Sequence, residues 1–238
     1  MNISKLIFSA SLLLVLTACK PTDDHIRNIV EQTLDENPKL VVDAFKKYQM
    51  QQEEEAAQSQ SKAISEKSEQ LKNDGYSVVF GNPEGDVTVI AFKDYRCGYC
   101  KRSWGPLMKL IADDKDVRLV IKEMPILGPH SMRASRFGLA SKEQGKYPEY
   151  YTALIKHRGP WDTETLKKIA TNIGLDAEKL SEDAKTEKVQ GWITQTLELS
   201  SMLGISGTPA FVIGDTLYPG AVSLSEMQKA VAATRKAQ

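Results

Sequence analysis

Two of the three cysteines in this 238-residue chain stand close together, in the stretch DYRCGYCKRSWGP at positions 94–106. Cys97 and Cys100 at that spacing could hold a metal ion, staple a turn, or shuttle electrons as a dithiol–disulfide couple. A staple between residues three apart closes a tiny loop, so it constrains the unfolded chain far less than a long-range bridge. A structural metal site wants four ligands, and the histidines His25, His130 and His157 are scattered without ligand spacing. Redox exchange is the chemistry best matched to the pair, and it requires no cofactor and no metal.

The flanking residues say how such a pair is held. VTVIAFKDY, positions 87–95, carries β-branched and aromatic residues at strand density. The segment KRSWGPLMKLIADD after Cys100 reads as a helix with a kink expected at Gly105-Pro106. Cys97 then lies in the first helical turn, where unpaired N–H groups and the positive end of the helix dipole favour a thiolate. Cys100 falls one turn further in, shielded but close enough to attack a mixed disulfide on Cys97. Cys97 is therefore expected to be the exposed, attacking thiol and Cys100 the buried, resolving one.

Compartment is read from the N-terminus and the charge balance. Residues 1–18 have a basic Lys5 and an apolar run from Leu6 to Leu16, the pattern of an export signal and too short for a spanning helix. Leu16-Thr17-Ala18-Cys19 resembles the lipobox of bacterial lipoproteins, which makes Cys19 the lipid attachment site and lipid the only link to a membrane. The alternative is a plain secretory signal in which Cys19 is incidental. With Cys19 lipidated, Cys97 and Cys100 are the thiols left in an oxidising periplasm. Lys20, following the cysteine, resembles the sorting pattern for the outer membrane. Lys+Arg and Asp+Glu balance at 31 each, so overall charge recruits no nucleic acid.

Over residues 75–238 the chain resembles the DsbA-like thiol-disulfide oxidoreductases of the thioredoxin superfamily. The resemblance runs through strand–Cys97-Gly98-Tyr99-Cys100–helix, then VRLVIKEMPILGPHS, and late in the chain GISGTPAFVIGDTLYPGA. It implies an α/β thioredoxin fold, a cis-proline at Pro209 beside the cysteines, and peptide binding along Gly98, Tyr99, Thr208 and Pro209. It also implies a helical insertion, at about residues 130–196, where helical patterns replace strand patterns. Met132, Phe137, Leu139 and Ala140 are spaced for a buried stripe. DTETLKKIATNIG begins on a cap and stops at Gly174, another helix starts near Asp176, and TEKVQGWITQTLELSSMLGI carries a further one. His130 and His157 in this region read as structural or surface residues, with a catalytic role as the alternative.

Residues 19–74 precede that fold. Asn37-Pro38 starts a helix whose face carries Leu40, Val41, Ala44, Phe45 and Tyr48, and Ile26, Ile29, Val30 and Leu34 form a shorter amphipathic piece upstream. From Gln49 to Asp74 the chain is polar, with Met50, Ala57, Ile64 and Leu71 at sevenfold spacing, and reads as a solvated helix or linker. DsbC, DsbG and ScsC-like relatives carry N-terminal segments that make dimers or trimers, so the resemblance implies a homo-oligomer formed through residues 20–74. Gly98-Tyr99 and Thr208 match DsbC-type isomerases, and Ala91 stands where the DsbA prototype has a glutamate. Another group must then relay protons to Cys100, with Glu123 a candidate.

The implied activity is disulfide exchange, isomerisation or oxidation, on exported proteins with thiols or disulfides, served by a DsbD-like reductase or a DsbB-like oxidase. The alternatives are a dedicated oxidase and a non-catalytic, chaperone-like lipoprotein.

Overall fold

The computed structural model describes residues 22–237, which divide into two compact units with the boundary between Glu54 and Glu55. The expected export signal and the expected lipid-attachment site Cys19 lie outside the described residues.

In the first unit Thr22 caps helix α1, Asp23–Glu36, its hydroxyl accepting from the His25 N–H at 3.4 Å. Helix α2, Lys39–Glu66, follows Pro38 and extends past the boundary. Every residue from 22 to 54 is exposed, including the two expected apolar faces, Ile26, Ile29, Val30 and Leu34 on α1 and Leu40, Val41, Phe45 and Tyr48 on α2.

The second unit is built on a five-stranded sheet ordered β1-β3-β2-β4-β5. Its strands are β1 Val78–Gly81, β2 Val87–Lys93, β3 Val117–Glu123, β4 Ala210–Ile213 and β5 Thr216–Pro219. β2 and β3 are parallel, in register Val87 to Val117 through Lys93 to Glu123, and the remaining pairs are antiparallel. Side chains alternate across β2. Val89 and Ala91 face one core, which holds Leu107 and Leu110 of the long helix after the cysteines, while Ile90 and Phe92 face a second core with Val120 and Leu199.

The second core is closed from outside the sheet by the end of α2 and by the short helix α3, Ser68–Lys72. The first core is covered by helix α4, Gly98–Asp113, which runs as one element with Pro106 inside, and by the C-terminal helix α10, Leu224–Ala237. Helices α5 Pro129–Ala140, α6 Tyr147–Lys156, α7 Thr163–Asn172, α8 Ala177–Asp183 and α9 Glu187–Met202 fill the connection between β3 and β4. The starts of α7, α8 and α9 are capped: Asp162 accepts from the Thr165 N–H, Asp176 from Lys179 and Thr186 from Val189. The stripe Phe137, Leu139 and Ala140 is buried and Met132 is partly so.

The boundary expected at residue 74 lies twenty residues earlier in the chain. The end of α2 and all of α3 belong to the second unit because they close the other face of the sheet. Ile64 and Leu71 are 2% and 1% exposed among Ile90, Phe92 and Val120. Asp74 lies 2.5 Å from the Lys122 ammonium, whose side chain is fully buried on β3. Burial raises the Asp74 pKa, yet Lys122 and Ser77 outweigh it and hold the carboxyl below its ordinary value. Two apolar residues in a polar run are a thin pattern, but each occupies a slot that the sheet face would otherwise leave open.

Candidate active site

Cys97 is the N-cap of α4, with extended backbone at φ −68 and ψ 117. Its Sγ accepts from the Cys100 N–H at 3.4 Å and donates to the Thr208 carbonyl at 3.1 Å. The Thr208–Pro209 bond is cis, and Pro209 O accepts from Gly220 N–H at 2.9 Å, which fixes the turn that enters β4. Sequence-distant segments thus meet at one sulfur.

Cys100 is 0% exposed and Cys97 only 7%, so the exposed thiol expected from sequence is itself largely covered, with Thr208 as part of its roof. Burial pushes the Cys100 thiol up to about 12, against the Asp94 N–H, which donates to its Sγ at 3.5 Å, and the nearby Lys93 charge. Gly98 and Tyr99 form the first turn of α4. Tyr99 is 60% exposed, with the Arg102 guanidinium 4.0 Å from its ring centre.

Asp94, which sequence reasoning passes over, ties the site together. Its buried carboxylate accepts from Arg96 N–H at 2.8 Å, Ser131 Oγ at 2.8 Å and Leu127 N–H at 3.1 Å, locking the loop before Cys97 onto the start of the insertion. His130 is exposed beside Arg133 at 3.2 Å. His157 sets its ring edge-on to Trp161, and its carbonyl accepts from Lys101.

Lys93 also escapes a reading of the sequence. It is the last residue of β2, 2% exposed, with Nζ donating to Ser103 Oγ at 2.9 Å. A signal for it exists: in VTVIAFK the period of two puts Lys93 on the face of Val89 and Ala91, which meets the helix after the cysteines.

Glu123 does not bond a sulfur. Its Oε1 accepts from Tyr95 OH at 2.5 Å and Tyr147 OH at 2.7 Å, and its Oε2 is buried without a partner. The approach is close because position 138 is glycine, where a Cβ would stand 2.5 Å from both Glu123 Oε1 and Tyr95 OH. Burial raises the Glu123 pKa to about 8, against the tyrosine hydrogen bonds, so the carboxyl is mostly protonated at pH 7.

A raised folded pKa means that the folded protein holds this proton more tightly than the unfolded chain. Its contribution is complete below about pH 4.5 and is lost as pH rises through 8. A tenfold difference in proton affinity between the two states is worth about 1.4 kcal/mol. Glu123→Gln is expected to flatten the fall in melting temperature between pH 5 and 8, read by calorimetry; an unchanged slope would contradict the buried neutral carboxyl.

Comparison with known proteins gives the lineage. A family model described as thioredoxin matches residues 73–233. A thioredoxin-like oxidoreductase from Silicibacter pomeroyi is 44% identical, with 71% of this chain and 98% of that one covered at TM-score 0.69. A linker-deleted mutant of Proteus mirabilis ScsC is 27% identical, covering 93% of this chain and 100% of the other at TM-score 0.71. The thiol-disulfide exchange protein alpha-DsbA2 of Wolbachia pipientis is 30% identical, covering 73% and 95% at TM-score 0.68. The chain spans about a quarter of the length of the curated relatives it matches, such as the Na(+)/H(+) antiporter NhaA 3 of Salinispora tropica, of which it covers 24% at 26% identity. With the family model spanning most of the sheet-bearing unit, and with nearly the whole Silicibacter chain matched, the chain belongs to the thioredoxin family.

Proposed function

We propose that this protein is an extracytoplasmic thiol-disulfide oxidoreductase in which Cys97 and Cys100 are the reacting pair. The observation that carries the reading is the meeting of Cys97 Sγ with the Thr208 carbonyl at 3.1 Å, above a fully buried Cys100 one helical turn deeper. In the reducing direction the Cys97 thiolate attacks a substrate disulfide, forming a mixed disulfide and releasing one substrate thiolate. Cys100 then attacks Cys97 Sγ, the second substrate thiolate leaves, and two electrons have passed from the pair to the substrate. The reverse sequence oxidises a substrate dithiol. Thr208-Pro209, with Gly98 and Tyr99, frames the extended peptide, in the manner of strand addition.

Isomerase-like use is favoured over pure oxidation by the apolar faces of α1 and α2, which are exposed in the single chain. Burying such side chains contributes about 1.5–3 kcal/mol each, so they suit a homodimer or homotrimer that holds several reacting pairs together. Cys19 carries the lipid that tethers the assembly in the periplasm. A DsbD-like reductase keeps the pair reduced in this mode, and a DsbB-like oxidase would serve the oxidase alternative. Catalysed reduction of insulin by the wild-type protein, lost in Cys97→Ser, tests the reading; insulin reduction equal to the buffer rate in the wild type would leave the chaperone-like alternative.

A further inference from the structure

Lys93 is a buried charge that the exchange steps above leave unused. Its Nζ donates to Ser103 Oγ at 2.9 Å, Ser103 Oγ donates onward to the Cys100 carbonyl at 3.0 Å, and the ammonium stands 5.8 Å from the Trp104 ring centre. An ammonium taken out of water needs a counter-charge. Glu123 faces Lys93 in register on β3, but its Oε1 is held by Tyr95 and Tyr147, and with its pKa raised to about 8 by burial it is mostly neutral at pH 7. Asp94 is satisfied by Ser131, Arg96 and Leu127. Tyr151 on α6 is fully buried and held well above its ordinary pKa, hence neutral. The groups whose charge bears on Lys93 are Cys100 and then Cys97.

We propose that Lys93 is the charge and proton partner of the sulfur pair, acting chiefly on Cys100, in the role that an apolar Ala91 leaves open. This rests on the exchange reading above. When a substrate thiolate attacks Cys97 Sγ of the closed disulfide, the S–S electron pair leaves on Cys100 Sγ. The Lys93 ammonium balances that thiolate and then gives it a proton, becoming the amine. In the opposite direction the amine takes the Cys100 proton, the Cys100 thiolate attacks Cys97 Sγ of the mixed disulfide, and the substrate leaves as a thiolate. Burial lowers the Lys93 pKa to about 8, so both of its forms are populated near neutral pH.

The test is carbon-13 NMR of the full chain labelled at lysine Cε, with the pair closed by oxidised glutathione or opened by dithiothreitol. One lysine signal, absent in Lys93→Met, is expected to titrate below the ordinary lysine range. Its midpoint should be higher in the dithiol form by about one pH unit, a tenfold change in proton affinity, because the negative charge that the open sulfur pair can carry, and the disulfide cannot, favours the ammonium. A midpoint that is the same in both forms would overturn the proposal. As a second readout, the rate at which a model peptide thiolate opens the oxidised protein should fall about tenfold in Lys93→Met and lose its decline above pH 8; an unchanged rate and profile would count against it. If Lys93→Met does not fold, the wild-type titration alone decides. Since small thiols open and close the pair chemically, that titration reports on Lys93 even for a protein inactive on insulin, which would refute only the exchange reading.

Discussion

Cys97→Ser is expected to reduce disulfide exchange to the uncatalysed background, whereas Cys100→Ser should still attack and then stall. The difference follows from depth. A serine at position 97 cannot form the mixed disulfide, and Cys100, 0% exposed beneath the Cys97–Thr208 contact, has no path to a protein substrate. Its thiol, pushed up to about 12 by burial, also yields little free thiolate at neutral pH. With Cys100 replaced, the bond between Cys97 and the substrate forms but has no resolving thiol, so covalent adducts accumulate. Non-reducing electrophoresis followed by peptide mapping reads this directly. Adducts in Cys97→Ser, or none in Cys100→Ser, would invert the assigned order.

Truncation is expected to act in two sharply different steps. Removing residues up to 54 should leave a folded monomer that reduces insulin but unscrambles wrongly paired disulfides poorly, because the described residues removed are all exposed in the single chain and hold only the proposed oligomer together. Extending the cut through residue 74 should unfold most of the protein. That cut strips Ile64 and Leu71 from the second core, with losses on the order of 2–5 kcal/mol for each large apolar side chain. It also leaves the Lys122 ammonium buried without Asp74, a break worth about 3–5 kcal/mol. The sum is comparable with the entire stability of an ordinary domain, about 5–15 kcal/mol. Light scattering and thermal melts on the mature chain and the two truncations separate the outcomes. A monomeric mature chain would refute the oligomer, and a longer truncation that melts like the shorter would refute the packing role of residues 55–74.

What the sequence makes legible follows the strength of its local signals. The strand-to-helix turn at the cysteine pair and the capped helices of the insertion are carried by residue type and spacing within a few positions, the cis Thr208-Pro209 bond by the family resemblance, and the structure has each of them at those positions. Lys93 is placed on the inner face by the period of two in VTVIAFK, while Asp94 carries no local mark; the meaning of both depends on Ser103, Ser131 and Leu127, which only the folded chain brings near. Glu123 is a relay candidate by sequence alone, yet Tyr147, 24 residues away, claims its oxygen. The unit boundary is displaced because one buried residue per seven, Ile64 and then Leu71, leaves a weak periodic trace even when both fill a core.

The most direct test of the central claim is the order in which the two thiols react. Native reduced protein is exposed to an excess of iodoacetamide for increasing times across a range of pH on both sides of neutrality, quenched, and mapped by mass spectrometry. Cys97 is expected to be modified first at every pH, with Cys100 protected until the protein is unfolded, since its sulfur is enclosed and its thiol held in the protonated form. Modification of Cys100 first, or of both at equal rates, would contradict a mechanism in which Cys97 attacks and Cys100 resolves.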